Sequence, residues 1–219
     1  MAGLIYPSGP YRSRLHGLVN ELLFPLKLLV PQPLVRRVPG LVTNEDLRMA
    51  EVGREVRGRL LDIGCGPNRL AREYRAAGGD AVGVDVHPWE GVDLVVEDTA
   101  RLPFADGSFD TVSFVACLNH IPNRDQVLRE ARRVLADGGR VVLTNLQPLI
   151  SQVWHAWAFW DKDQHERGMA EGEVWGLAEA QLRALLAEAG FERVERRLYA
   201  WGLNQLWVAR KYGGRADDT

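Results

Sequence analysis

Short apolar runs recur along the middle of this chain, separated by stretches in which apolar residues fall at every third or fourth position. Residues 59–63, 81–85, 92–97, 111–116 and 140–144 read as strands, and residues 69–77 and 124–135 as helices between them. Gly78-Gly79 stops the first helix, and Asp137-Gly138-Gly139 makes the turn into the strand at 140–144. Alternating strands and helices with short connections imply a mainly parallel sheet joined by right-handed crossovers. After Asn145 the rhythm breaks, and residues 146–176 are rich in tryptophan and charge with no clear strand. A helix resumes at 177–189 and is ended by Gly190. Strands at 191–199 and 204–210, with Trp201-Gly202-Leu203 between them, then close the chain as an antiparallel hairpin.

The amino-terminal region reads differently. Residues 1–12 are turn-rich and carry no periodicity. From 13 to 30, Leu15, Leu18, Val19, Leu22, Leu23 and Leu26 form a helical stripe that Pro25 kinks or breaks. Pro31, Pro33 and Pro39 make the next stretch a linker, and Asn44 is placed to cap a helix running through Val56. The stripe has three uses open to it: packing on the core, a lid over a site, or a surface that touches a membrane, since basic Arg36-Arg37 flank it.

Composition narrows the class. The 219 residues suffice for one well-cored α/β unit, taken as 44–219, with an extension at 1–43, and are too few for two full domains. A formal net charge of −2 argues against broad electrostatic binding of nucleic acid, which favours a basic face. Two cysteines, Cys65 and Cys117, give neither zinc spacing nor a disulfide framework, so a reducing cytoplasm is the expected setting. The stretch 18–30 is interrupted by Glu21, Pro25 and Lys27 and falls short of a membrane span.

The chemistry concentrates at Leu60-Leu61-Asp62-Ile63-Gly64-Cys65-Gly66-Pro67-Asn68. An apolar run gives way to two glycines around one residue and then to a polar helix start, as where a strand hands over to a helix across a turn free of side chains. Such a turn lets backbone approach a ligand closely, and the amides of the next helix can receive a carboxylate or phosphate. Asp85 ends the second strand 19 residues after Gly66, where an acid can accept hydrogen bonds from both hydroxyls of a ribose. A nucleotide-like cofactor is expected here.

Together with Asp98-Thr99 after the third strand and the turn-rich segment 102–110, these residues resemble the class I S-adenosylmethionine-dependent methyltransferases. The similarity is to the small-molecule branch typified by ubiquinone and menaquinone biosynthesis methyltransferases, close over 58–145 and looser in the last third. The resemblance implies an α/β, Rossmann-like, seven-stranded, mainly parallel sheet with a C-terminal antiparallel hairpin and helices on both faces. It implies S-adenosyl-L-methionine as cofactor and S-adenosyl-L-homocysteine as product. Carried over position by position, Asp62, Gly64, Cys65, Gly66, Asp85, Val86, Asp98, Thr99 and Cys117 would bind the cofactor, with Asp98 accepting from the adenine amine. Two positions depart from the pattern. Asn68 stands where the family has a third glycine, and asparagine tolerates left-handed backbone. Pro67 removes one amide from the cradle.

Cys117, Leu118, Asn119 and His120 follow the fourth strand at its carboxyl end, where open α/β sheets bind ligands. In the resembling family these positions face the methionine part of the cofactor and the acceptor. His120 is the candidate general base or orienting residue, because histidine exchanges a proton near neutral pH. The alternative is a histidine that only packs or caps. The segment 146–176 would cover the acceptor, with Asn119, His120, Trp160 and His165 in the pocket and aromatic rings to wall a flat or lipophilic molecule. Its acids and histidines lack a regular ligand spacing, and no metal is expected. Cys65 and Cys117 read as small packing residues, with no activating base.

Methyl transfer from a sulfonium is an in-line displacement, so alignment, exclusion of water and removal of a proton are what the protein must supply. The expected partner is a small or medium organic acceptor such as a phenol, quinone precursor or lipid-like compound, with no nucleic acid. The alternatives are a non-catalytic or atypical member that keeps the fold, and a nicotinamide-dependent oxidoreductase, which would favour a fuller Gly-x-Gly-x-x-Gly and no terminal hairpin.

Overall fold

A computed structural model describes residues 11–146, 148, 152 and 171–212. Seven strands form one sheet: β1 (Leu60–Ile63), β2 (Ala81–Asp85), β3 (Leu94–Val95), β4 (Phe109–Val115), β5 (Leu135–Leu146), β6 (Glu192–Tyr199) and β7 (Asn204–Arg210), in the order β3-β2-β1-β4-β5-β7-β6. Strands β1 to β5 pair in parallel, and β7 inserts antiparallel between β5 and β6. The expected Rossmann-like sheet with its terminal hairpin is therefore present. The strand order reverses between β1 and β4, and the crevice at the carboxyl ends of those strands is where such sheets bind ligands.

Helices α4 (Asn44–Gly53) and α5 (Arg69–Ala76) cover one face, where Val52, Leu70, Ala71 and Tyr74 pack on Leu60, Val142 and Leu206. Helices α6 (Arg124–Val134) and α7 (Glu179–Glu188) cover the other, where Leu128, Ala131, Leu182 and Leu186 pack on Leu61, Ile63, Phe114 and Trp207. Adjacent residues Leu60 and Leu61 thus enter opposite cores. All four residues of β1 are buried, which is why it reads as an unbroken apolar run interrupted by Asp62. Upstream lie α1 (Arg14–Leu22), α2 (Phe24–Leu28) and α3 (Gln32–Val35).

Several local expectations are corrected. Thr43, not Asn44, caps α4, through a reciprocal capping box in which Thr43 accepts from the Asp46 amide and Asp46 accepts from the Thr43 amide. The proline-rich linker contains a short helix, α3, because Pro33 sits in the first turn, where its missing N–H costs no hydrogen bond. The third strand shortens to two residues at the sheet edge. Asp137-Gly138-Gly139 forms a bulge within β5, where the register jumps from Phe109↔Leu135 to Thr111↔Arg140. Gly138 has φ +78° and its amide bonds to the Lys211 carbonyl.

The turn after β1 is built on left-handed backbone. Gly64 has φ +68°, Gly66 +53° and Asn68 +57°, so asparagine does adopt the geometry expected of it. Asn68 is fully buried, and its amide nitrogen donates to the Gly91 carbonyl at 2.9 Å. Its side-chain oxygen lies 2.0 Å from where a Cβ on Gly83 would stand. The amide that replaces the third glycine is accommodated by a glycine on the neighbouring strand β2.

This fixes the outcome of substitution. Gly83→Ala should lose about 1–3 kcal/mol in urea unfolding by overpacking. Asn68→Gly should remove most of that loss, giving a positive coupling in the double-mutant cycle. Additive losses would show that the two positions do not share the space.

Candidate active site

The crevice is bounded by the turn after β1, the tip of β2 and the segment after β4. The Gly64 and Cys65 amides both donate to the Val84 carbonyl, and the Asn68 amide donates to the Cys65 carbonyl. The Gly66 amide donates to Asp85 Oδ2 at 2.9 Å, and the His87 amide to Asp85 Oδ1 at 2.9 Å. The glycine loop's own amides are therefore engaged internally. What the loop offers is space: a Cβ on Gly66 would meet nothing within 4 Å. Gly64 serves differently, because a Cβ there would lie 2.8 Å from the Cys117 sulfur, so its absence lets the segment after β4 close against the turn.

Asp85 is buried and anchors both the loop and its own strand end. Each carboxylate oxygen accepts up to two hydrogen bonds and has one described amide partner, leaving capacity for two hydroxyl donors. Val86, next along, is exposed beside it. Asp62 is buried at the end of β1 and accepts from the Ser113 hydroxyl at 2.6 Å. Burial pushes its carboxyl up to about 7, the Ser113 bond opposes this, and the nearby Asp85 charge adds to it. Burial and the same two acids raise the Cys65 and Cys117 thiols, and Cys117 donates to the Ile63 carbonyl. Both shifts favour the protonated thiol over the thiolate.

Asp98 Oδ1 accepts from the Ala100 amide at 2.8 Å and faces the Asn123 amide nitrogen at 3.4 Å, which fixes the turn after β3 beside buried Thr99. Leu118–His120 form a single 3-10 turn after β4. The Asn119 amide nitrogen donates to the Val174 carbonyl at 3.3 Å, and the Val174 amide donates to the Asn119 carbonyl at 3.0 Å. The carbonyl partner fixes the orientation of the Asn119 amide, whose nitrogen also lies 3.0 Å from His120 Nε2. That ring nitrogen is then the acceptor, and the proton sits on Nδ1, 3.4 Å from Glu173 Oε2.

Glu173 was not singled out from the sequence, since it lies in an irregular stretch with no periodicity. It is brought to His120 by the Asn119–Val174 pair and by Arg124, which donates to the Gly172 carbonyl at 2.6 Å. Its side chain is only 6% exposed. Trp160 and His165, and most of the tryptophan-rich segment around them, lie outside the described residues.

Known proteins resemble this chain in sequence and in fold. Residues 61–143 match the family profile described as a methyltransferase domain. The ubiquinone/menaquinone biosynthesis C-methyltransferase UbiE of Pseudomonas aeruginosa is 27% identical over 168 residues, covering 62% of this chain. The chain spans 66% of that relative's length, just under two thirds. A SAM-dependent methyltransferase of Thermotoga maritima superposes with a TM-score of 0.59 at 18% identity, over 90% of this chain and 98% of that one. A Haemonchus contortus phosphoethanolamine N-methyltransferase, solved with S-adenosylhomocysteine, superposes with a TM-score of 0.53 at 18% identity, over 71% and 49%. Residues 61–143 thus carry a methyltransferase domain, and the chain is similar to S-adenosylmethionine-dependent methyltransferases, enzymes whose cofactor is S-adenosyl-L-methionine.

The residues present suit that cofactor. The crevice is open at Gly66, and the Asp85 carboxylate, with acceptor capacity to spare, favours a ligand that carries hydroxyl donors.

Asp62 gives a pH test. Its folded-state value near 7 exceeds the ordinary 3.8, so between these values the folded protein holds the extra proton. Stability without ligand should fall as pH rises through that window. In Asp62→Asn, which keeps a partner for Ser113, this fall should vanish, and the variant should exceed the parent by about 1 kcal/mol or more at pH 8. Urea midpoints at pH 5 and pH 8 measure this; an equal gap at both would contradict it.

Proposed function

We propose that this protein transfers the methyl group of S-adenosyl-L-methionine to a small or medium organic acceptor, a phenol, quinone precursor or lipid-like compound, with His120 taking the acceptor's proton. The observation that carries the reading is the Asn119–His120–Glu173 arrangement at the carboxyl end of β4. The bound cofactor supplies a methyl group already activated by the positive sulfonium.

The chain's own residues divide the remaining tasks in this reading. Asp85 holds the ribose hydroxyls, and Val86 with Asp98 and Thr99 flank the adenine. Gly66 lets the cofactor lie close to the turn, while Asp62, Cys65 and Cys117 line the side toward its amino-acid end. His120 presents Nε2, the basic ring nitrogen, and an acceptor hydroxyl takes the place of the Asn119 amide at that atom. Glu173 receives the Nδ1 hydrogen, fixing the tautomer and stabilising the ring once it gains a proton. Asn119, with Trp160 and His165, completes the acceptor pocket. The UbiE relative, named for ubiquinone and menaquinone biosynthesis, favours an acceptor of aromatic or lipid-like kind.

Release of S-adenosyl-L-homocysteine, measured across a panel of phenols and quinols, tests the reading. On an accepted substrate, His120→Ala should lower kcat by about a hundredfold or more with little change in cofactor affinity. Glu173→Gln should lower kcat by about tenfold and leave KM nearly unchanged. Full activity in His120→Ala would remove the histidine from the chemistry, and no turnover on any acceptor of this class would overturn the substrate assignment.

A further inference from the structure

Helix α1 is turned inside out relative to an ordinary surface helix. Its polar Asn20 is fully buried, whereas Leu15, Leu18, Val19 and Leu22, spaced i, i+3, i+4 and i+7, are 70%, 56%, 42% and 64% exposed. Of the three uses open to this stripe, packing on the core is not the one these four residues show. The cause is a closed polar network beneath the helix. The Asn20 amide nitrogen donates to the His16 and Gly40 carbonyls, and Asn20 Oδ1 accepts from the Val42 amide at 2.8 Å and from Lys27 Nζ at 3.1 Å. Lys27, 6% exposed, donates also to the Val42 carbonyl. A buried amide and ammonium satisfied in this way fix which side of the helix faces inward, since turning the helix would take these partners from the Gly40 and Val42 backbone groups. The outward apolar face continues through Leu26 and Leu29, both exposed.

Charge and an aromatic anchor indicate what this face meets. Residues 11–40 carry Arg12, Arg14, Lys27, Arg36 and Arg37 against Glu21 alone, in a chain whose formal net charge is −2. Apart from Lys27, these cations are exposed. Trp201, at the tip of the β6–β7 hairpin, is 61% exposed and its indole N–H donates to the Glu21 carbonyl at 2.9 Å, so an amphipathic ring stands beside α1. Exposed leucines with flanking arginines and a tryptophan fit the boundary between anionic headgroups and acyl chains. A second copy of this chain fits less well, because a symmetric contact would set the arginines against one another. Among the described residues no helix is long and apolar enough to cross a membrane, so the contact is a surface one.

We infer that α1 and the segment through Arg37 form a docking face for an anionic lipid surface, seated by the leucine stripe and held by Arg12, Arg14 and Arg37. This goes beyond the methyl-transfer reading and does not depend on the acceptor. Co-sedimentation of the full chain with vesicles of phosphatidylglycerol and phosphatidylcholine tests it, with pure phosphatidylcholine as the comparison. The protein should sediment with the anionic vesicles and be released by raised salt. Leu18→Asp/Leu22→Asp should reduce binding by about tenfold or more, as should Arg12→Gln/Arg14→Gln/Arg37→Gln. Because these side chains point to solvent, both variants should keep the parent's melting temperature, which separates lost docking from lost folding. Failure to sediment with anionic vesicles, or binding indifferent to the leucine substitutions in a folded variant, would overturn the inference. So would a vesicle-free dimer that the leucine substitutions dissolve.

Discussion

The site rests on one hydrogen bond, from the Gly66 amide to the Asp85 carboxylate. It ties the turn leaving β1 to the tip of β2, on one side of the crevice that opens where the strand order reverses between β1 and β4. Everything nearby serves that closure. Three left-handed residues bend the chain back, Gly64 makes room for Cys117, and Asn68 clamps the following loop through Gly91 in the space that Gly83 leaves. The same carboxylate stands close enough to Asp62 to help keep it protonated near neutrality. The closure thus leaves Asp85 as the carboxylate that faces a cofactor in the crevice, with Asp62 a neutral carboxyl beside it.

A second layer of organisation comes from side chains that pair with irregular backbone. Asn119 and Val174 exchange hydrogen bonds, and Asn145 both donates to the Leu177 carbonyl and accepts from its amide. These two asparagines stitch residues 171–177 to the carboxyl ends of β4 and β5. Glu173 reaches His120 as a consequence. The same device recurs at the amino terminus, where Asn20 pairs with the backbone at residues 16, 40 and 42.

The sheet and the turn after β1 were legible in the sequence because each signal is local: apolar runs, paired glycines, an acid at a strand end. Even the departure at Asn68 could be read, since left-handed tolerance belongs to the residue itself. Its accommodation by Gly83 could not, because that contact joins two strands. Likewise, the partners of the turn's own amides could not be read, because the Val84 carbonyl and the Asp85 carboxylate that accept from them lie on another strand. Glu173 carries no periodicity and no motif. For α1 the pattern alone left three uses open: spacing marks an apolar face but not what it meets, and the long-range partners of Asn20 and Lys27 decide which side turns inward.

Calorimetric titration of S-adenosyl-L-homocysteine into the parent protein and Asp85→Ala tests the cofactor crevice most directly. The parent should bind one equivalent, and the variant should bind at least about tenfold more weakly, the loss of one or two hydroxyl contacts to a carboxylate. Equal affinity in the two proteins, or no binding by the parent, would contradict the assignment of this crevice.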